Sequence, residues 1–404
     1  MSHASHVEDS QRWIDQVMAR IIENLGLDVD KARYEISKSI NFIMTTMYYV
    51  RLQFKNKTND QNEELSMVLK RPMKNFIYIT RIDLQFDNEI LFYRTYVQPN
   101  EMHFYARCYY AEKRSPTDFV IALENVNERG YHSCSYLHNA PFEYTLAAMR
   151  ELGRFHGKGY VMKELQREKF FDVVARLQES RWEVGNVFVV HSNVKATRSL
   201  EYLRRQGHDA AFCDRMEACF TNAFDEVIMK IIKPVEPLAT MCHGDFLLSN
   251  ILFKADEGGR YCAMLIDFAV IRYSTPVVDL STYLYNCCSI EEIREKFFDI
   301  LRAYHDALME YLLDAGVQDI EKYSYNALLD DFRRGALFGF IVASYFLPAM
   351  LGYLKPEVIV QDIISLGSLG SAKKQKYAGG DEVCKILADI LLHLRDLGCL
   401  KHIL

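Results

Sequence analysis

His243-Gly244-Asp245-Phe246-Leu247-Leu248-Ser249-Asn250, with Ile266-Asp267-Phe268 following so that Asp267 stands seventeen residues beyond Asn250, is the stretch whose reading decides the fold. Phosphoryl transfer needs three oxygen-bearing groups. One carboxylate orients and deprotonates the acceptor hydroxyl, while an amide and a second carboxylate hold Mg²⁺ against the phosphates. Asp245, Asn250 and Asp267 supply that set in that order. Between them, residues 251–254 and 261–268 read as two strands joined at Asp256-Glu257-Gly258-Gly259, a hairpin turn. Asp245 and Asn250 as turn caps and Asp267 as a strand end would explain either motif alone. The two in sequence point to the catalytic and metal sites of a kinase.

An independent signal lies upstream. Glu89 falls three residues after Phe86 and four before Tyr93, on the apolar face of a helical pattern that also carries Ile90 and Val97. A carboxylate on such a face needs a partner, because burying an unpaired charge is costly. Lys70, at the end of the apolar run 65–69, is the candidate. In kinases a Lys–Glu pair of this kind aims the lysine at nucleotide phosphates, whereas a plain structural salt bridge would need only the contact.

Outward from these motifs the chain falls into two parts. Residues 34–39, 42–54, 65–70, 103–111 and 119–123 are rich in β-branched and aromatic side chains and read as an antiparallel sheet, preceded by an amphipathic helix through Trp13, Val17 and Ile21. Residues 142–156, 165–177, 199–206 and 211–232 read as helices, and residues 371–382 as a polar loop. The expectation is an α+β, bilobal protein-kinase-like fold, with an N-terminal lobe over residues 1–123, an antiparallel sheet plus one main helix, and a larger helical lobe over residues 124–404.

Composition narrows the function classes. Over 404 residues, 48 Lys and Arg against 54 Asp and Glu give a net charge of −6, which excludes a strongly basic nucleic-acid binder. Ten cysteines without zinc spacing fit buried, reduced thiols and a cytoplasmic chain. Residues 1–12 are polar and carry no secretory signal. Residues 335–354 are uncharged and of membrane-spanning length, but they hold three glycines and Pro348 and follow the charged run 330–334, so they read as a buried helix and not as a membrane anchor.

At these residues the sequence resembles the ecdysteroid-kinase-like, or choline-kinase-like, family, which shares the aminoglycoside-phosphotransferase fold. The resemblance is carried by Asn41-Phe42-Ile43-Met44-Thr45-Thr46-Met47-Tyr48, Lys70, Asn88-Glu89-Ile90-Leu91-Phe92-Tyr93, Leu123-Glu124-Asn125-Val126, Leu152-Gly153-Arg154-Phe155-His156, the two motifs above, Arg272-Tyr273, Pro276 and Asp279-Leu280. It implies ATP and Mg²⁺ as cofactors, Asp245 as the catalytic base, Asn250 and Asp267 as metal ligands, and Lys70 as the phosphate-binding lysine with Glu89 as its partner. It implies further that Thr45 lies in the nucleotide loop and that Glu124, Asn125 and Val126 form a hinge holding adenine. His243 and Asp279 would brace the catalytic loop, and His156 would be a buried hydrogen-bonding histidine.

The chain departs from the family where residues 37–46 lack glycine, where Leu247 stands for a tryptophan, and where Ala269 stands for a glutamine. A protein kinase is disfavoured, because Gly244 replaces the usual arginine and Phe268 is not followed by glycine. The implied activity is ATP-dependent phosphorylation of a hydroxyl on a small-molecule alcohol, an ecdysteroid or another lipophilic one. The alternatives are an inactive kinase-fold binding protein and a choline- or ethanolamine-type kinase.

Overall fold

Two compact units, Met1–Gly130 and Tyr131–Leu404, make up the chain. The structure, a computed structural model, describes residues 3–41, 44–56, 60–73, 80–97, 101, 103–401 and 403.

In the first unit, helix α1 (His3–Asn24) precedes strands β1 (Arg33–Asn41), β2 (Thr45–Lys55) and β3 (Asn62–Pro72). Helix α2 (Ile82–Leu91) and strands β4 (Cys108–Ser115) and β5 (Asp118–Glu124) follow. The five strands form one antiparallel sheet in the order β1-β2-β3-β5-β4. Period-two alternation gives the sheet two different faces. Val50, Leu52, Met67, Leu69, Val120 and Ala122 are buried with Trp13, Ile14, Val17, Met18, Ile21 and Ile22 of α1 in one core. Each such side chain contributes about 1.5–3 kcal/mol on burial, so the apolar stripe, more than helix propensity, anchors α1. Lys70 and Ile121, paired across β3 and β5, belong to the other face, where Phe119 meets Phe86 of α2 with ring centroids 5.5 Å apart.

Two sequence expectations are corrected here. The helical pattern through Val97 is not one helix: after Leu91 the chain widens into a π-type turn, Phe92–Tyr96. The extra residue in that turn lets Phe92, Tyr93 and Tyr96 all be buried, with Phe92 against Tyr93, Tyr96 and Tyr105. The strand expected from residue 103 begins at Cys108, because the carbonyls of His103 and Tyr105 accept from the Arg129 guanidinium instead of a neighbouring strand.

The second unit is mainly helical. A short strand, β6 (His132–Ser133), leads into α3 (Phe142–Leu165), α4 (Arg167–Arg176), α5 (Val187–Lys195), α6 (Arg198–Arg205) and α7 (Ala210–Phe220). Then come β7 (Thr240–Cys242), β8 (Ile251–Ala255), β9 (Tyr261–Leu265) and β10 (Arg272–Ser274). The chain closes with α8 (Val277–Cys287), α9 (Ile290–Asp314), α10 (Tyr325–Gly335), α11 (Leu337–Met350), α12 (Pro356–Gln375) and α13 (Gly380–Asp396). The strands pair as β6-β8-β9 and β10-β7. Helices α3 and α9 pack closely at Gly153, where a Cβ would lie 2.3 Å from the Tyr304 carbonyl oxygen.

The helix expected over 211–232 is interrupted after Phe220, and a widened turn at Phe224–Ile228 starts where the Phe224 amide donates to Asn193 Oδ1. The expected loop 371–382 is mostly helix, since α12 runs to Gln375 with Ser371, Ala372 and Gln375 buried, and α13 starts at Gly380. Of the uncharged stretch 335–354, Leu337–Met350 form α11, buried along most of its length with Pro348 inside it, while Gly335 ends α10. Among the described residues no helix is long and apolar enough to cross a membrane. All ten cysteines are free thiols, and Cys262 alone is exposed.

Candidate active site

The catalytic-loop motif is held from below by its backbone. Strand β7 ends at Cys242, and the amides of His243 and Gly244 donate to the two oxygens of Asp279, at 2.6 and 2.8 Å. Asp279 is fully buried on α8 and also accepts from His156 Nε2 at 3.0 Å, while His156 Nδ1 accepts from the Tyr304 hydroxyl at 2.9 Å. Burial pushes the Asp279 carboxyl up, but the hydrogen bonds from His156 and from the Gly244 amide outweigh it and hold the group below the usual carboxylate value. His156, Cys242 and Asp279 lie close enough to resemble a metal cluster. Their polar atoms are spent on this brace: Cys242 Sγ donates to the carbonyls of Ser274 and Thr275.

Gly244 turns the chain. Its φ is +80°, and a Cβ there would sit 2.1 Å from the Val270 carbonyl oxygen, so only glycine fits. His243 fixes the next step, its Nε2 donating to the Ile266 carbonyl at 3.0 Å and its Nδ1 accepting the Asp245 amide at 3.3 Å.

Asp245 and Asn250 meet directly. Asn250 Nδ2 donates to the Asp245 carbonyl at 2.9 Å and to Asp245 Oδ2 at 3.1 Å, which turns the amide nitrogen toward the aspartate and reserves the amide oxygen for another partner. The Asn250 carbonyl accepts the Ile266 amide at 3.0 Å, and β8 pairs with β9 from Ile251 opposite Leu265. The hairpin therefore brings Asp267 beside Asn250 at its open end. Asp267 has φ +65°, a left-handed backbone that an aspartate tolerates better than most side chains and that recurs at functional sites. An amide oxygen and a carboxylate are hard donors of the kind Mg²⁺ takes, so the pair fits that ion.

In the first unit, Lys70 Nζ donates to Glu89 Oε2 at 2.6 Å, with the lysine side chain 9% exposed and the glutamate 1%. Thr45 opens β2 two residues before Met47, which pairs with Lys70, so Thr45 and Lys70 share a face of the sheet. Phe42 and Ile43 of the same motif lie outside the described residues. Glu124 ends β5, and the Asn125 amide donates to the Ser66 carbonyl at 3.0 Å, tying the segment to β3 before the 3-10 turn Val126–Arg129. The Glu124 carboxylate accepts from the Arg107 amide and from Arg129, so it shapes its own loop.

Sequence reasoning missed Arg181. Its side chain is 3% exposed, and its Nη1 donates to Asp245 Oδ1 at 2.9 Å and to the Gly244 carbonyl at 3.4 Å. The guanidinium lies over Phe188 of α5 and Phe346 of α11, 4.9 and 5.9 Å from the ring centroids. Burial by itself would push Arg181 down, but Asp245, Tyr345 and Glu179 more than reverse this and it is raised. Glu179 accepts the amides of Arg181 and Trp182 and pairs with Arg272 of β10 at 3.0 Å. A chain of contacts thus runs Arg272–Glu179–Arg181–Asp245–Asn250. Arg181 sits in the irregular link between α4 and α5, 64 positions from Asp245, and no local period joins the two.

Residues 40–317, more than half of the chain, match the ecdysteroid kinase-like family. The chain belongs to that family. Membership supports the coarse reading of a small-molecule phosphotransferase with the kinase-like α+β fold. None of the curated proteins is significantly similar in sequence.

Among solved structures, the GDP complex of wild-type aminoglycoside 2′-phosphotransferase-IIIa is 12% identical, over 92% of this chain and 98% of that one, with a TM-score of 0.44. The GDP and kanamycin complex of APH(2″)-IIIa is 11% identical over 94% and 98%, with a TM-score of 0.41. A thermostable mutant of aminoglycoside phosphotransferase APH(4)-Ia with AMP-PNP and hygromycin B is 13% identical over 90% and 96%, with a TM-score of 0.32. Scores of this size describe a loose likeness, and the family assignment rests on the sequence match.

Proposed function

We propose that the protein transfers the γ-phosphoryl group of ATP to a hydroxyl of a small lipophilic alcohol, an ecdysteroid being the candidate its family suggests. The observation that carries the reading is the Asp245–Asn250 contact at the open end of the hairpin that delivers Asp267. It pairs a partly exposed carboxylate with two hard oxygen donors.

Asp245 accepts the hydroxyl proton, the acceptor oxygen forms its bond to the γ-phosphorus, and the bond from that phosphorus to the ADP oxygen breaks. Arg181 and Asn250, one on each oxygen of Asp245, fix its rotamer so that a remaining lone pair faces the acceptor. Asn250 and Asp267 would hold Mg²⁺, which supplies charge neutralisation at the phosphates. Lys70, steered by Glu89, contributes a cation for the nucleotide phosphates, with Thr45 near them, and within the segment Glu124, Asn125 and Val126 the Val126 amide is the donor proposed for adenine, since the amides of Glu124 and Asn125 donate to the Arg107 and Ser66 carbonyls.

Thermal shift with Mg·ATP tests the nucleotide and metal half of the proposal. At 100 times the dissociation constant the ligand should stabilise by about 2.7 kcal/mol, a rise of a few degrees. Asp267→Ala should abolish the rise, and an undiminished response in that variant would remove Asp267 from the metal site.

A further inference from the structure

An aspartate used as a base in alcohol phosphorylation is negatively charged, and a cationic acceptor gains from approaching it. Recognition of a quaternary ammonium adds aromatic faces to such acids. This chain has both elements beside Asp245, and Arg181 already uses them. Its guanidinium is ion-paired to Oδ1 at 2.9 Å and lies over the rings of Phe188 and Phe346. The two rings stand 6.2 Å apart, and Tyr345 next to Phe346 is buried with its hydroxyl lacking a hydrogen-bond partner among the described residues. The Arg181 backbone is anchored as well, its amide donating to Glu179, which pairs with Arg272.

We infer that Arg181 sets the permitted charge of the acceptor, so that the protein phosphorylates neutral alcohols and rejects those carrying a cation near the hydroxyl. The inference rests on the phosphotransferase reading and narrows it, since choline- and ethanolamine-type acceptors become poor substrates. An acceptor hydroxyl bonded to Asp245 lies within a few ångströms of a buried guanidinium, where repulsion is weakly screened. A cation on the acceptor meets that charge and finds the aromatic faces occupied. Specificity then comes from what is excluded as much as from what is bound.

The test compares alcohols that differ only in charge: 3,3-dimethylbutanol with choline, and 4,4-dimethylcyclohexanol with N,N-dimethyl-4-hydroxypiperidinium. Transfer of labelled γ-phosphate is measured for the full chain with Mg·ATP. The expected kcat/KM ratio favours the neutral member by about tenfold or more. Arg181→Gln should bring the ratio toward one, chiefly by lowering KM for the cations, while Arg181→Lys should keep the ratio. Equal use of both members by the unaltered protein would overturn the inference. So would an Arg181→Gln variant that loses kcat for both with the ratio unchanged, which is the behaviour of a mere brace. Should Arg181→Gln fail to fold, the ratios of the unaltered protein and Arg181→Lys still decide. Absence of transfer to every alcohol and to water would remove the phosphotransferase reading itself, and this inference with it.

Discussion

Two buried ion pairs carry the chemistry proposed for this chain, and they are built in opposite senses. In Lys70–Glu89 the acid is the deeper partner, 1% exposed against 9% for the lysine, and the cation is the end proposed to meet the nucleotide. In Arg181–Asp245 the cation is the deeper, 3% exposed, and the carboxylate keeps 19% of its surface. The less deeply buried partner is in each case the one the proposed reaction uses. Glu89 aims a lysine, while Arg181 aims an aspartate. A buried pair of this sort gives little net stability against an apolar substitute, but removing one member leaves an uncompensated charge inside.

The largest contrast should come from removing the reactive member of the second pair. Asp245→Asn keeps the side-chain shape and loses the base, so turnover should fall about 10²–10⁴-fold while Mg·ATP binding persists. Parent-rate phosphorylation by that variant would mean that Asp245 is not the base. Its stability should fall only modestly, since Arg181 retains the Gly244 carbonyl and two ring faces.

Lys70→Met removes the member of the first pair proposed to meet the nucleotide and takes this cation from Glu89 on its buried helix face. Here the expected loss of stability is about 3–5 kcal/mol, read from denaturant midpoints, together with loss of turnover. Adding Glu89→Leu should restore much of the stability and none of the activity. A double variant as unstable as the single one would show that Glu89 was compensated by something other than Lys70.

The two pairs also differ in how far they could be read from sequence. Lys70 and Glu89 sit at the end of an apolar strand and on the apolar face of the next helix, so period and charge together expose them. Asp245, Asn250 and Asp267 are legible because a short loop and a hairpin fix their spacing. Arg181 has no such frame. Its contact with Asp245 depends on how α5, α11 and the link after α4 pack, and helix packing is not encoded in local periodicity. The same limit explains the misread ends of elements. The π-type turn at Phe92–Tyr96 and the late start of β4 are settled by aromatic burial and by Arg129, both tertiary effects.

A smaller effect lies one helix turn from Phe188. His191 on α5 is buried, and its Nε2 has no hydrogen-bond partner among the described residues. Burial, helped by the neighbouring Lys195 charge, lowers it to about 3, and burial lowers Lys195 to about 7. The folded chain thus keeps His191 neutral where the unfolded chain would protonate it. Its contribution to stability is whole above the ordinary histidine value of about 6.5 and is lost as pH falls toward 3. In His191→Phe, the drop in Tm between pH 7 and pH 5 should shrink by roughly a degree or two. An unchanged drop would mean that His191 protonates as easily folded as unfolded.

The most direct measurement follows the phosphorus itself. Purified full-length protein is given Mg²⁺, γ-labelled ATP and a panel of neutral lipophilic alcohols, ecdysteroids included, and the label is traced. The expected result is Mg²⁺-dependent transfer of label to at least one hydroxyl, lost in Asp245→Asn with the Mg·ATP thermal shift intact. Saturable Mg·ATP binding with label that never leaves ATP, for any alcohol or for water, would contradict the account and leave a nucleotide-binding protein without turnover.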